Sequence, residues 1–239
     1  MPILSPTQDP IGQGLLDYWH QKPGAPIVAR SESVEDLPMA PELFFRDFES
    51  MPLLEQVALQ NCKGKILDVG AGAGCHSLWL QQQHFDIRAI DVSPGAVALM
   101  QARGLQKVTL ADLQEWEHDT QYDTVLLLMN GIGLVQTLEG FTRFFKQMDA
   151  LLAPGGQILC DSSDLKYLYQ GEDAQELPED RYYGELNYQL VYKNIECPPF
   201  EWLFVDFGHL SEAAKAAGYR AEMFQKGEHY DFLARIVRE

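Results

Sequence analysis

The sequence lacks the features that mark metal-binding or disulfide-stabilised proteins. It contains four cysteines and no CxxC pair: Cys62, Cys75, Cys160 and Cys197. This pattern predicts reduced, mostly buried thiols and indicates neither a zinc site nor a disulfide framework. No HxxxE or similar cluster of ligands is present either, so the sequence predicts no metal site.

Basic residues and long apolar runs are also scarce. Eighteen lysines and arginines stand against 35 aspartates and glutamates, which gives a formal net charge of −17. Such a surface repels phosphate backbones and anionic membranes, and this disfavours nucleic-acid substrates. No apolar run approaches the roughly 20 residues that span a bilayer, and the N-terminus lacks the basic and apolar regions of a signal peptide. We therefore expect a cytoplasmic protein without a membrane partner, whose oligomeric state is unknown.

Prolines are concentrated at the start of the chain, and the rest has the composition of an ordinary globular domain. Residues 1–52 hold eight of the 13 prolines and predict an irregular cap with short helical pieces, around 12–20 and 42–49. Its aromatic residues either anchor the cap or line a substrate pocket: Tyr18, Trp19, Phe44, Phe45 and Phe48. Residues 53–239 are predicted to form the second domain, which is large enough for one α/β core.

Apolar runs alternate with helical periodicity from residue 65 to residue 161. Five strands are predicted, at 66–69, 87–91, 108–111, 122–129 and 157–161. This alternation predicts a Rossmann-like, doubly wound α/β sheet of five parallel strands. Paired strands at 186–193 and 200–207 predict a small antiparallel β insertion at about 182–207. A helix at 210–217 and a C-terminal antiparallel hairpin complete the prediction.

A glycine-rich turn follows the first predicted strand. Gly70, Gly72 and Gly74 stand between an apolar run and a helix. Glycine reaches φ > 0 and has no Cβ, so a ligand can lie directly against such a turn, facing the free N–H groups of the helix. The turn therefore predicts a small molecule that contains a nucleotide.

Carboxylates follow the predicted strands. Asp68, Asp91, Asp112 and Asp161 lie in or beside four of the five strand ends, where an open α/β sheet binds its ligand. A phosphate-rich ligand would be repelled there, whereas a ribose, an adenine and a cationic group would be bound. The dinucleotide fingerprint needs a third glycine at position 75, which is Cys75. An acid two residues before the first glycine favours a ligand with an amino-acid end.

Five segments in order resemble the class I S-adenosylmethionine-dependent methyltransferases. LDVGAGAG is similar to their first motif, and AIDVSPGAV is similar to their second. ADLQEW resembles the segment that meets the adenine, YDTVLLLMNGIG resembles the fourth motif, and LLAPGGQILCD resembles the stretch leading into strand five. The resemblance covers residues 65–161. It implies a methyltransferase that uses S-adenosylmethionine and releases S-adenosylhomocysteine.

The resemblance also implies roles for the residues at the strand ends. The glycine turn would pass under the methionine part of the cofactor, with Asp68 near the ammonium group. Asp91 would accept hydrogen bonds from both ribose hydroxyls. The full set implied to bind the cofactor is Arg46, Asp68, Gly70, Ala71, Gly72, Gly74, His76, Asp91, Val92, Ala111, Asp112, Leu113, Met129 and Asn130.

Some of these roles have alternatives. Asp112 would bind the adenine amino group, or it caps a helix. His76 either contacts the ligand carboxylate or is an ordinary surface histidine. Arg46 resembles arginines that some such enzymes place on the carboxylate, and a surface ion pair with Asp47 or Glu49 is the other interpretation.

The residues that act on the acceptor are less defined. Asn130, implied with Met129 to lie beside the sulfonium, and Asp161 are the catalytic candidates. His209 and His229 titrate in the useful range, but a structural role is the plainer interpretation. Gly131-Ile132-Gly133 follows Asn130 in place of Pro-Pro-aromatic, which puts methylation of nucleic-acid bases or glutamine in doubt.

The acceptor is predicted to be a small molecule rather than nucleic acid. Two alternatives stay open: an NAD(P)-dependent oxidoreductase, and a non-catalytic protein that binds S-adenosylmethionine.

Overall fold

The computed structural model describes residues 2–31, 33–118, 120–170 and 176–239. Helices in these ranges are α1 (Pro10–Trp19), α2 (Leu53–Gln60), α3 (Cys75–Gln82), α4 (Pro94–Ala102), α5 (Phe141–Leu151) and α6 (Phe207–Ala216). Strands are β1 (Ile27–Ser31), β2 (Leu37–Met39), β3 (Lys65–Val69), β4 (Asp86–Asp91), β5 (Val108–Leu110), β6 (Tyr122–Leu127), β7 (Leu152–Ser163), β8 (Glu185–Tyr192), β9 (Ile195–Glu196), β10 (Phe200–Leu203), β11 (Tyr219–Lys226) and β12 (Asp231–Arg238).

The chain divides into two compact units. The first unit consists of Met1–Met51, Gly64–Glu117 and Asn187–Phe200. The second unit consists of Pro52–Lys63, His118–Leu186 and Glu201–Glu239. The five strands predicted as parallel are all present, three in the first unit and two in the second, so the predicted α/β class is confirmed.

The first unit contains the parallel strands β3, β4 and β5. Strand β3 pairs with β4, and β4 pairs with β5. Helices α3 and α4 connect them, and Ser93 caps α4 by accepting a hydrogen bond from the Ala96 N–H at 2.9 Å. Strand β3 is buried along most of its length, and the glycine turn follows it directly.

The same unit contains a second, antiparallel sheet that the sequence did not predict in full. Strand β1 pairs with β2, with Val28 opposite Pro38, and with β8, with Val28 opposite Val191. The N-terminal cap therefore contains strands as well as helical pieces. Proline lacks an N–H donor and is tolerated in an edge strand, which is the position of β2 in this unit.

The second unit has the strand order β11-β12-β7-β6. Strands β6 and β7 are parallel, and the C-terminal hairpin adds to β7 in antiparallel fashion, with Ala234 opposite Cys160. One face of α5 is apolar and buried, and its Phe145 ring lies 4.9 Å from the ring of Tyr219. The predicted fourth and fifth strands and the hairpin are confirmed.

Four predicted features differ from the structure. The strand predicted at 200–207 ends at Leu203, and α6 starts at Phe207 rather than at residue 210, because Asp206 accepts a hydrogen bond from the His209 N–H and caps the helix. Helical periodicity over 137–152 predicts a helix that starts at residue 137, but α5 starts four residues later, at Phe141. The helical piece around 42–49 is two 3₁₀ helices, Pro41–Phe44 and Phe48–Ser50.

The state of the cysteines and the character of the helices can be read from the structure. All four cysteines are buried and none forms a disulfide. In the part of the chain that the structure describes, no helix has the length and apolar character required to cross a membrane.

Candidate functional site

The turn between β3 and α3 has a left-handed backbone at all three glycines. The φ angles of Gly70, Gly72 and Gly74 are +71°, +57° and +79°. The Gly70 N–H donates to the Ile90 carbonyl at 2.9 Å, and the Gly74 N–H donates to the Ala71 carbonyl at 2.8 Å. These bonds fix the shape of the turn, and its φ angles favour glycine at each position.

The three glycines differ in what a side chain would meet. A Cβ atom at Gly74 would lie 2.9 Å from Met100 Cγ, and one at Gly72 would lie 3.3 Å from Phe44 Cδ1. A Cβ atom at Gly70 would meet no atom within 4 Å. Gly72 and Gly74 thus allow close packing within the protein, whereas Gly70 faces open space where a ligand can lie against the backbone.

The carboxylate of Asp91 is built into this turn. Its Oδ2 accepts a hydrogen bond from the Gly72 N–H at 2.8 Å, and its Oδ1 accepts one from the Ser93 N–H at 2.8 Å. The residue is only 8% exposed, and burial raises the pKa of its carboxyl to about 6 despite these two bonds. A carboxylate offers about four acceptor sites, so both oxygens can still accept a hydroxyl.

Asp68 is the second buried acid of the site. Its Oδ2 accepts a hydrogen bond from the Ser77 hydroxyl at 2.6 Å. Burial raises the pKa of Asp68, and the proximity of His76 and the bond from Ser77 oppose that shift. His76 is itself buried, so the surface alternative for this histidine was wrong. A cation beside Asp68 would relieve the cost of holding this charge away from water.

The third predicted acid, Asp112, lies just beyond β5. The Ala111 N–H donates to the Asp91 carbonyl at 2.9 Å, and this bond joins the ends of β4 and β5. Asp112 Oδ1 accepts a hydrogen bond from the Gln114 N–H at 3.1 Å. A turn follows at 113–115 rather than a helix, so the helix-cap alternative does not describe this position. The implied contacts of Val92 and Leu113 with an adenine stay predictions.

The aromatic residues of the cap have two different environments. Phe44 lies against Gly72, and Phe48 stacks on Trp79 with ring centroids 4.4 Å apart, so these two rings anchor the cap to the turn and to α3. The other three rings, Tyr18, Trp19 and Phe45, line an open cavity of about 750 Å³. The anchoring alternative therefore describes Phe44 and Phe48, and a substrate-pocket role for the other three rings stays a prediction.

Two arginines of the first unit are considered as ligand-binding groups, and Arg103 contacts the turn. Arg103, which the sequence analysis missed, donates from Nη1 to the Ala73 carbonyl at 2.5 Å, and its guanidinium lies 4.8 Å from the centre of the Phe45 ring. Arg46 is half-buried between the two 3₁₀ helices. Asp47, a predicted ion-pair partner of Arg46, caps the second of these helices by accepting from the Ser50 N–H at 3.0 Å. A role for Arg46 on a ligand carboxylate stays a prediction.

Asp9 is a second residue that the sequence analysis missed. Its Oδ1 accepts a hydrogen bond from the Gly12 N–H at 2.8 Å and caps α1. Its Oδ2 accepts from the Ser93 hydroxyl at 2.7 Å and from the Gly95 N–H at 2.8 Å, at the start of α4. One buried carboxylate thus stabilises the N-termini of two helices, and it joins the cap to the segment that follows Asp91.

Replacing Asp9 with alanine is expected to lower the stability of the fold. Three buried donors lose their acceptor, so we expect a loss of about 2–3 kcal/mol and a melting temperature lower by about 5–10 °C, measured by differential scanning calorimetry. Asp47→Ala is the control, because that exposed aspartate caps only a short 3₁₀ helix. Equal shifts for the two variants would contradict the double-capping role.

The second unit carries the residues implied to lie beside the transferred methyl group. The Met129 and Asn130 N–H groups donate to the two carboxylate oxygens of Asp161 at 3.1 and 2.8 Å. Both residues have left-handed backbone, with φ of +62° and +56°. This conformation costs about 1–2 kcal/mol at each non-glycine residue, and the Asp161 carboxylate holds it in place. The buried Oδ1 of Asn130 receives no hydrogen bond from the described residues.

Across the described residues, no group of three or more histidine, cysteine, aspartate or glutamate side chains is arranged to hold a metal ion.

Known proteins share both the sequence and the structure of this chain. Residues 66–156 match a family described as Methyltransferase domain. A crystal structure of an S-adenosylmethionine-dependent methyltransferase from Bacteroides fragilis, in complex with S-adenosyl-L-homocysteine, is similar with a TM-score of 0.93 and 40% identity. The similarity covers 99% of this chain and 97% of that one. The chain belongs to the S-adenosylmethionine-dependent methyltransferase family.

Two further relatives extend this comparison. The putative methyltransferase YqeM of Bacillus subtilis is 27% identical over 104 residues, which are 41% of this chain and 42% of that protein. The aligned region therefore spans less than half of this curated relative. The sugar N-methyltransferase KedS8 from a Streptoalloteichus species has a TM-score of 0.57 at 20% identity, over 82% of this chain and 87% of its own. The likeness to KedS8 shows a shared fold.

Membership of this family confirms the predicted fold, reaction type and cofactor. The methyltransferase uses S-adenosylmethionine, and the nicotinamide alternative, for which Cys75 replaces a required glycine, is set aside. The residues present fit this cofactor: Gly70 leaves open a space that a Cβ atom would fill, and Asp91 is buried beside the turn with free acceptor sites. The individual cofactor contacts stay predictions.

Proposed function

We propose that this methyltransferase transfers the methyl group of S-adenosylmethionine to a small-molecule acceptor. The open space at Gly70, next to the buried acid Asp91, carries the cofactor part of the proposal. When bound, the cofactor supplies an electrophilic methyl group. The protein must then hold the acceptor in line, exclude water and, for some acceptors, remove a proton.

The two buried acids support an adenosine ligand that carries a cation. Asp91 offers a carboxylate to paired ribose hydroxyls, and each such charge-assisted bond contributes about 1.5–3 kcal/mol. Burial disfavours the ionised form of Asp68, so a ligand ammonium group next to it would be stabilised by an unscreened carboxylate. A phosphate-rich ligand would gain nothing from either group.

The charge of the chain supports a small acceptor over nucleic acid. A net charge of −17 repels a phosphate backbone over most of the surface. Among proteins of the same fold, KedS8 is a sugar N-methyltransferase, which is an example of a small acceptor. We therefore propose a small-molecule substrate and neither a nucleic-acid nor a membrane partner.

The experiment that tests this function uses methyl-labelled S-adenosylmethionine. The purified protein is incubated with the label and with a cell extract that has been separated into small-molecule, nucleic-acid and protein fractions. We expect label only in the small-molecule fraction. Label in nucleic acid or protein would contradict the acceptor class. Binding of the cofactor without labelling of any fraction would support the non-catalytic alternative.

Asn130 supports an acceptor that carries an N–H or O–H group. Its Oδ1 is a buried acceptor atom to which no described residue donates, and a ligand donor would satisfy it. An acceptor molecule with a protic group could supply that donor. The left-handed backbone at Asn130 is a local cost of the kind that is retained at functional sites.

Replacing Asn130 with glycine is expected to separate stability from activity. Glycine relieves the left-handed backbone and removes a buried acceptor, so the melting temperature should stay the same or rise by a few degrees, about 1–3 °C. Methyl incorporation should fall about tenfold or more as one ligand hydrogen bond is lost. The control is Gln136→Gly, because Gln136 also has positive φ, at +77°. Unchanged incorporation by Asn130→Gly would remove Asn130 from the proposed site.

A further inference from the structure

Polar residues outside the cofactor turn form a connected cluster in the second unit. Asp206 Oδ2 accepts hydrogen bonds from the Tyr182 hydroxyl at 2.7 Å and from the Tyr183 hydroxyl at 3.3 Å. It also lies 2.5 Å from His209 Nδ1. The Tyr183 hydroxyl also donates to Asp164 Oδ1, at 2.7 Å. The cluster thus converges on one carboxylate, with one histidine at its edge.

The hydrogen bonds of Asp206 determine the protonation of the groups around it. Burial alone would raise the pKa of Asp206, but the bonds from Tyr182 and His209 outweigh burial and lower it. Burial and the nearby carboxylates raise the pKa values of both tyrosines above their ordinary range, so both stay neutral donors. An ionised carboxylate only accepts hydrogen bonds, so the proton of a neutral His209 must lie on Nδ1.

This tautomer leaves Nε2 of His209 as an unprotonated base. Nε2 lies on the side of the ring opposite Asp206, and the side chain of His209 is 46% exposed. A carboxylate that orients an imidazole and stabilises its protonated form is a recurrent arrangement for general-base catalysis. The ring of Tyr182, whose centroid lies 4.8 Å from that of His209, restricts the imidazole further.

The cluster lies at the C-terminal end of β7, the same end at which Asp161 of β7 binds the Asn130 backbone. Asp161 binds the Asn130 N–H, and the next residue, Ser162, accepts a hydrogen bond from the Val205 N–H at 3.0 Å, which fixes the chain just before Asp206. A Cβ atom at Gly133 would lie 2.1 Å from Trp202 Nε1, so β10 packs closely on the segment after Asn130. Strand β7 therefore positions both the Asn130 backbone, through Asp161, and the chain before Asp206, through Ser162.

We propose that His209 is the general base that removes a proton from the substrate to be methylated, and that Asp206, Tyr182 and Tyr183 position its imidazole. The substrate is a small molecule with a hydroxyl or ammonium group. The inference rests on the proposed function. In the reaction, the acceptor O–H or N–H proton moves to His209 Nε2, and the electron pair left on that oxygen or nitrogen forms the new bond to the methyl carbon. The pair of the broken carbon–sulfur bond stays on sulfur, giving S-adenosylhomocysteine.

The first test reads the tautomer of His209 by NMR, independently of turnover. In ¹⁵N-labelled protein at pH 8, correlations between the ring nitrogens and the ring carbon-bound protons should show a protonated Nδ1 and an unprotonated Nε2. The signal is assigned by its absence in His209→Gln. In Asp206→Asn the preference for the Nδ1 proton should weaken. A proton on Nε2 in the unaltered protein would overturn the proposal.

The second test is the pH profile of methyl incorporation into the small-molecule fraction. Among the described residues, the titratable groups that contact His209 are Asp206 and Tyr182. Tyr183 and Asp164 lie behind them, and Glu212 is one turn further along α6. A general-base role for His209 requires an unprotonated Nε2. The rate should therefore fall on the acidic side, approaching tenfold per pH unit, because protonated Nε2 cannot accept a proton.

The variants distinguish this inference from the proposed function. His209→Gln should lower the rate at pH 7.5 at least tenfold and remove the acidic limb, with binding of S-adenosylhomocysteine unchanged. His229→Gln is the control, because His229 is exposed and lies outside the cluster. A wild-type rate and profile for His209→Gln would overturn this inference alone. Absence of label with unaltered protein would overturn the proposed function, and this inference with it.

Discussion

Asp91→Ala is expected to weaken binding of S-adenosylhomocysteine about 100-fold or more, because two charge-assisted hydrogen bonds worth about 1.5–3 kcal/mol each are lost. The substitution also removes the acceptor for the Gly72 and Ser93 N–H groups, so the turn loses part of its support. Isothermal titration calorimetry measures the affinity, and circular dichroism checks that the variant is folded. Asp91→Asn keeps one side-chain oxygen, and we expect an intermediate loss of affinity.

Asp86→Ala is the matched control for this prediction. Asp86 is the first residue of the same strand, is exposed and pairs with Lys107 at 2.6 Å. Such a surface pair contributes at most about 1 kcal/mol to stability, and it lies at the opposite end of β4 from Asp91. The affinity of Asp86→Ala should match that of the unaltered protein. Wild-type affinity in Asp91→Ala would contradict the assignment of the ribose to this carboxylate.

The pKa of Asp91 provides a second readout of the same prediction. With a pKa raised to about 6, the carboxyl of the free protein is protonated below that pH, and ribose hydroxyls bind the ionised form. Affinity should therefore be full above pH 7 and fall, approaching tenfold per unit, as the pH drops through 6. Stability linked to this group changes in the opposite sense: it is present below pH 4 and lost as the pH rises through 6. In Asp91→Asn, the affinity and the stability should both lose the pH dependence that comes from this carboxyl group.

Gly70→Ala is expected to reduce cofactor affinity by about 100-fold, which corresponds to a loss of about 2.7 kcal/mol. The new methyl group would enter the open space against which the cofactor is proposed to lie. The left-handed backbone at Gly70 adds a stability cost of about 1–2 kcal/mol for alanine, or about 2–6 °C in melting temperature. Binding is measured by calorimetry and melting by differential scanning fluorimetry.

Gly104→Ala separates the two effects of that substitution. Gly104 also has positive φ, at +92°, and its Cβ atom would also meet nothing within 4 Å, but it lies after α4 rather than in the turn. Both variants should show a similar fall in melting temperature. Only Gly70→Ala should lose affinity. Equal affinities in the two variants would show that the space beside Gly70 is not used by the cofactor.

The sequence signals that succeeded were local ones. The five parallel strands, the glycine turn and the acids Asp68 and Asp91 are all contained in short segments whose apolar pattern and turn residues favour one conformation. Ser93-Pro94 is likewise a local signal for the start of a helix, and Ser93 caps α4. These features depend on neighbours within a few residues, so a single sequence is sufficient to predict them.

The features that were missed depend on contacts between distant segments. Asp9 and Ser93 are 84 residues apart, and β1 pairs with β8 across more than 150 residues. The first helical piece was predicted at about 12–20, and nothing local indicates that the Asp9 carboxylate caps both α1 and α4. The tyrosines that orient Asp206 come from a polar segment without periodicity. Only the folded chain brings these groups together.

The carboxylate that joins α1 to α4 also sets an order of events during protein synthesis. Asp9 leaves the ribosome more than 80 residues before Ser93 and Gly95, its second set of partners. Until those residues emerge, the carboxylate can cap α1 but cannot be fully satisfied, so the start of the chain cannot reach its final packing early. We expect the first helix of the nascent chain to become resistant to protease only after α4 has been translated.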